Sequence, residues 1–141
     1  MRLFADCWVD CADEGIEIKH PTLSQVMEAI DALDSDTHTL ISLLPKEDCY
    51  LMVGGPCNGR YIVCVTFDNL EFFGPRDKDA GSEEAICYIG GQDGDYELER
   101  FVPRQIVDLA VTSFFEGRRL SLDIDWYDED EVLRSQKRLN P

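Results

Sequence analysis

The chain has 141 residues, 44% of them hydrophobic, with 29 acidic side chains against 13 basic ones and a formal net charge of −16. That length suits one domain with a proper core, and the hydrophobic share excludes a disordered chain despite the charge. A field of this sign repels nucleic-acid phosphates and anionic lipid, so neither is an expected direct ligand; it attracts a basic protein instead, or serves solubility alone.

Arg2 to Val9 alternates, with Leu3, Ala5, Cys7 and Val9 on one side and Phe4 and Trp8 on the other, which predicts a strand apolar on both faces. Asp10 to Gly15 reads as a polar turn and Ile16 to Lys19 as a short returning strand. Pro21-Thr22 opens a helix whose stripe is Leu23, Val26, Met27, Ile30 and Leu33, and Asp34-Ser35-Asp36 closes it. Strands follow at His38 to Leu44, Cys49 to Val53 and Arg60 to Phe67, the last two joined by a glycine-rich hairpin containing Asn58-Gly59. Asp68-Asn69 turns into Leu70 to Phe73, Gly74 to Glu84 is a polar loop, and Ala85 to Ile89 completes an antiparallel meander.

Gly90 to Glu99 reads as a glycine- and acid-rich connection. A second helix starts at Pro103, with Ile106, Leu109, Ala110 and Phe114 as its buried stripe, widened by Val107 and Val111. Gly117 is the expected residue just past its end, and Arg118 and Arg119 suit the negative terminus. Leu120 to Trp126 alternates as a final strand, and residues 127–141 form an acidic-then-basic tail compatible with a short helix. The expectation is a single α+β domain over residues 1–141. It combines an antiparallel sheet of about five to seven strands with two main helices packed against it and a short C-terminal helix.

Asp6 interrupts the apolar start far short of a signal-peptide core, and no apolar run reaches membrane-spanning length, so the reading is a cytoplasmic protein with no membrane partner. The six cysteines, Cys7, Cys11, Cys49, Cys57, Cys64 and Cys87, contain no C-x-x-C pair, and His20 and His38 show no zinc-finger spacing to them. The Gly54-to-Gly59 run connects two strands and lacks the Lys-Ser/Thr pair of a phosphate loop. There is no G-x-S-x-G elbow. No cofactor and no catalytic residue are therefore expected. Two acid clusters stand out: Asp93, Asp95, Glu97 and Glu99, and then Asp123, Asp125, Asp128, Glu129, Asp130 and Glu131. Neither has an EF-hand register, so each is either a solvated face or a partner-facing patch. Trp126, between Asp125 and Tyr127, is either a core tryptophan or a rim aromatic suited to an arginine.

The ordered pieces are the early helix with Leu23, Val26, Ile30 and Leu33; Leu51-Met52-Val53-Gly54-Gly55 leading through Asn58-Gly59 into Tyr61-Ile62-Val63; Gly90-Gly91-Gln92 and Tyr96; the helix ending Ala110-Val111-Thr112-Ser113-Phe114-Phe115; Gly117; and Trp126. In this order, from about residue 23 to 126, the chain resembles the first-numbered immunity-protein family of bacterial polymorphic toxin systems. That family has a Val-Gly-Gly hairpin, a Gly-Gly-Gln segment, a helix ending in aromatics and a closing tryptophan. The resemblance implies a non-enzymatic antitoxin that binds and neutralises a cognate toxin, often a nucleic-acid deaminase. A toxin that handles nucleic acid needs a basic cleft, which an acidic inhibitor can occlude. Charge clustering, not the resemblance, nominates the contacts: Asp93, Asp95 and the Asp123-to-Glu131 run, with Tyr96, Trp126 and Tyr127 as aromatic anchors. The competing expectation is a small metal-binding or carboxylate-dependent enzyme domain, and a third is an adaptor in an unrelated acidic–basic complex.

Overall fold

A computed structural model describes residues 1–81 and 83–128. In chain order the strands are β1 (Arg2–Ala5), β2 (Trp8–Val9), β3 (Ala12–Asp13) and β4 (Ile16–Lys19). Helix α1 (Leu23–Asp31) follows, then β5 (Leu40–Lys46), β6 (Cys49–Cys57), β7 (Arg60–Thr66) and β8 (Phe72–Pro75). The chain continues through β9 (Glu84–Ile89), β10 (Gln92–Glu97), β11 (Phe101–Val102), α2 (Arg104–Gly117) and β12 (Trp126–Asp128). The architecture is α+β. One eight-stranded antiparallel sheet has the order β12-β8-β7-β6-β5-β1-β4, with β11 sharing the edge of β7, and two small hairpins, β2–β3 and β9–β10, stand apart from it.

Thr22 opens α1 with a reciprocal capping box: its hydroxyl accepts from the Gln25 amide, and the Gln25 side chain accepts from the Thr22 amide. The stripe expected for α1 is the one that is buried, with Val26 and Ile30 fully enclosed and Leu33 nearly so. In α2 the stripe is rotated. Val107, Ala110, Val111 and Phe114 face the core, while Leu109 is 41% exposed. Both candidate stripes obey helical spacing, so only the docking angle against the sheet separates them. The left-handed position past α2 falls on Arg118 (φ 51°), not on Gly117, which is the last helical residue. The Arg118 guanidinium donates to the Phe115 carbonyl at 3.1 Å, relieving one of the unpaired carbonyls at that end.

Both helices lie on one face of the sheet. Leu3, Ile41, Leu43, Leu51, Val53, Val63 and Val65 meet them there, around Phe114. Arg104 joins the helices by reaching Asp31 on α1 at 2.6 Å and Asp108 on α2 at 2.7 Å.

Four expectations are corrected. The strand expected from Arg2 to Val9 breaks after Ala5, because the Asp6 carboxylate turns inward to the Thr39 and Leu40 amides. The strand expected from Leu70 runs from Phe72 to Pro75 and leaves Leu70 exposed. Ala85 to Ile89 leaves the meander. It pairs instead with Gln92–Glu97, which the sequence placed in a connection. Gly90 and Gly91, at φ 67° and 78°, form the tight turn between these strands. The strand expected from Leu120 is a turn, with Leu122 fully exposed, and only Trp126–Asp128 pairs, with β8. Of the tail expected over residues 127–141, Tyr127 and Asp128 belong to β12 and not to a helix, and residues 129–141 lie outside the described residues.

Candidate partner-binding surface

Strand alternation sends every second side chain to the sheet face opposite the helices. Cross-strand register aligns one row of these as Glu17, Phe4, Ser42, Met52 and Cys64, running from β4 through β1, β5 and β6 to β7. Phe4, Ser42, Met52 and Cys64 are all partly exposed, and none belongs to either buried cluster. A groove of about 350 Å³ opens at the β1–β4 end of this face, lined by Phe4, Leu40, Ser42 and Glu17 with Asp6, Asp13 and Gly15. Tyr50, aligned with Thr66 and then Phe72, extends the half-exposed aromatic content of the same face.

The β9–β10 hairpin crosses one end of this face. Its inner side packs Cys87 against Ile62 and Phe101, and Ile89 against Gly54. A Cβ at Gly54 would come within 2.7 Å of Ile89 Cγ2, so the close approach needs glycine. At the tip, the Gly90 amide donates to the Thr39 hydroxyl at 2.9 Å, and the Trp8 indole lies on Gly91. Behind the tip is a polar hub. Asp6 accepts from the Thr39 amide (2.7 Å), the Leu40 amide (2.9 Å), the Trp8 indole (2.9 Å) and the Thr39 hydroxyl.

Pairing places Asp93 opposite Tyr88, Asp95 opposite Ile86 and Glu97 opposite Glu84, all on the hairpin's outer side. Ile86 is 69% exposed there, and Asp93 and Asp95 are exposed beside it. Neither aspartate has an ion-pair partner among the described residues. Tyr96 points the other way. Its ring folds over Gly94 and meets Phe101 edge-on at 6.0 Å, so it holds the hairpin down.

The rest of the first cluster is tied to the second. Arg76, with a side chain only 9% exposed, bonds Glu97 at 3.2 Å and Glu99 at 2.5 Å, and its guanidinium lies 5.8 Å from the Tyr127 ring centroid. Lys78 approaches the same ring at 5.1 Å. One arginine thus ties the base of the hairpin to β12, and Tyr127 is held between two cations of its own chain. Trp126 packs against the core and donates its indole N–H to the Ser121 carbonyl at 2.9 Å. Asp123 and Asp125 line a groove of about 420 Å³ with Arg60, Asp77 and the exposed Leu122. Asp128 pairs opposite Phe73. Glu129, Asp130 and Glu131 lie outside the described residues.

Arg60 bonds Asp77 at 2.8 Å and, with the Asp79 amide, holds that carboxyl below its ordinary value of 3.8. Amides of Glu71 and Leu70 do the same for Asp68. A carboxyl depressed by folding stabilises the fold above its unfolded pKa, and that contribution is lost as pH falls through the folded value. Stability should therefore fall with acidification below about pH 4. Asp77→Asn should flatten that limb, as measured by denaturant midpoints between neutral and strongly acidic pH. Matching slopes for the two proteins would show the pair to be irrelevant.

Burial, reinforced by the neighbouring Cys57, pushes the Cys87 thiol up to about 12, and burial also raises Cys49; neither is a thiolate at neutral pH. Among the described residues no three His, Cys, Asp or Glu side chains gather closely enough to hold a metal ion, and no helix is long and apolar enough to cross a membrane.

The sequence reading missed Phe4, Met52, Ile86 and Tyr88. Alternation signalled two-sided apolar strands, but nothing local marks which side a helix will cover. Compared with known proteins, the chain matches no family model and no curated protein sequence.

Proposed function

We propose that this chain is an immunity protein that binds and neutralises a basic, nucleic-acid-handling toxin domain, of the deaminase class in the family it resembles, within the cytoplasm. The observation that carries the reading is the partly exposed, largely apolar row Phe4–Ser42–Met52–Cys64 on the sheet face away from the helices, with the Arg2 guanidinium 5.3 Å from the Phe4 ring centroid, bordered by a hairpin that presents Ile86 and Tyr88 beside Asp93 and Asp95. An apolar centre edged by unneutralised carboxylates has the anatomy of a protein interface: burial supplies affinity, and the acids steer a basic partner. Occupying the toxin's cleft with carboxylates where phosphates would bind blocks its substrate without any chemistry on the inhibitor's part. Asp123, Asp125 and the remaining tail acids add long-range attraction.

The test is co-expression with the protein encoded beside it, scored by growth rescue and a co-purifying complex. Asp93→Lys with Asp95→Lys should slow association about 10- to 100-fold at low salt and reduce its salt dependence, while the thermal midpoint stays near that of the parent. Met52→Asp should mainly accelerate dissociation, because it places a charge in the apolar centre. Unchanged kinetics in both variants would move the interface to another face. A harmless neighbour with no complex would remove the immunity reading altogether.

A further inference from the structure

β4 ends the main sheet with an unpaired edge among the described residues. Its hydrogen-bond phase can be worked out. The His20 amide donates to the Met1 carbonyl, and the Glu14 amide to the Cys7 carbonyl. With Leu3 opposite Ile18 and Ala5 opposite Ile16, alternation turns the amide and carbonyl groups of Ile16 and Ile18 toward β1. Those of Glu17 and Lys19 therefore point to the open edge. Beneath it, between β4 and α1, is a pocket of about 260 Å³ whose lining includes Leu3, Ile16, Ile18 and Leu33 together with the polar Gln25, Glu28 and His38. Ile16 is 53% exposed at its mouth.

We propose that this edge pairs antiparallel with β4 of a second copy about a two-fold axis, centred on Ile18. Only residues whose backbone groups both face outward can form the hydrogen-bonded pairs, so three registers bring charged positions opposite one another. One sets Glu17 against Glu17 and another sets Lys19 against Lys19; like charges directly opposed disfavour both. The third sets Glu17 against Lys19 of the second copy twice over, with Ile18 against Ile18 between them on the apolar side. The surroundings agree: Asp13 and Glu14 make one end of the edge acidic and Lys19 makes the other basic, while Glu17 between them shares its charge with Arg2 of its own chain in an exposed ion pair at 3.7 Å. A strip with opposite charges at its two ends is complementary to its own antiparallel copy, which is the requirement for a two-fold interface. Pairing continues the sheet across both copies and shields Ile16, Ile18 and the pocket mouth from water. Opposing it is the net charge of −16 on each copy, so the dimer should strengthen as salt rises. This places the second copy on the β4 edge, separate from the toxin-facing hairpin, and does not rest on the immunity reading.

The experiment is sedimentation equilibrium with light scattering over a wide range of protein and salt concentration, with circular-dichroism melts to show that each variant is folded. The parent chain should show a monomer–dimer equilibrium that tightens with salt. Lys19→Glu should weaken it about tenfold, and the swap Glu17→Lys with Lys19→Glu should restore it, because the same register then carries reversed charges. Glu17→Pro removes an outward N–H that no ladder bond uses, together with the exposed Arg2–Glu17 ion pair, which contributes little, and should abolish the dimer while leaving the melt near the parent's. A parent chain that stays monomeric throughout overturns the proposal, as does a dimer insensitive to Lys19→Glu and Glu17→Pro.

Discussion

Asp6→Ala is expected to cost about 3–5 kcal/mol of folding stability, the larger of two effects anticipated for single substitutions around the hairpin tip. Asp6 is 9% exposed and its carboxylate serves four donors, two of them backbone amides at the start of β5. Alanine leaves those donors unsatisfied in a place water reaches poorly, and a buried donor without a partner costs more than an average hydrogen bond contributes. The damage should also spread. Thr39 is fully buried, and its hydroxyl both donates to Asp6 and accepts from the Gly90 amide, so freeing it loosens the hairpin tip. Denaturant unfolding gives the magnitude, and hydrogen exchange at Gly90 gives the spread. Asp6→Asn keeps one acceptor oxygen and should cost roughly half as much. A loss below about 1 kcal/mol for alanine would show that the hub is dispensable.

Gly91→Ala is expected to destabilise by about 2–4 kcal/mol, from two sources. The position has φ 78°, which a Cβ strains, and an added Cβ would sit 2.1 Å from Trp8 Cζ2. That atom belongs to a rigid ring held by the Asp6 carboxylate, so it cannot move aside as a flexible chain end would. The double mutant separates the two causes. With Trp8→Ala in the background, the steric part of the Gly91→Ala cost should vanish and only the backbone part, about 1 kcal/mol, should remain. Simple additivity would mean that the ring is not the obstacle. If the hairpin carries partner contacts, Gly91→Ala should also weaken toxin binding more than its loss of stability explains.

Local chemistry made α1, the Asn58-Gly59 hairpin, the β5–β6–β7 meander and the existence of α2 legible without coordinates. Each depends on neighbours along the chain: a capping box, a turn that needs positive φ, or a two-residue or 3.6-residue period. The β9–β10 hairpin was half hidden because its second strand, Gln92–Glu97, is polar on both sides, and its inward positions include Gly94 where a pattern would need an apolar residue. The orientation of α2 was hidden for another reason, since Leu109 and Val111 are equally good core candidates until the sheet selects one face.

The acid clusters were visible in the sequence, but their division of labour was not. Glu97 and Glu99 share the single charge of Arg76, and Asp77 pairs with Arg60, partners 17 to 23 residues away, whereas Asp93 and Asp95 have no ion-pair partner among the described residues. The sequence by itself determined the α+β class, the principal elements and the strong negative field, because these follow from composition and short-range periodicity. Only the tertiary structure decided which sheet face is covered and, among the described residues, which carboxylates have ion-pair partners and which edge strand is unpaired. Those properties depend on pairings between distant segments, and no local pattern encodes them.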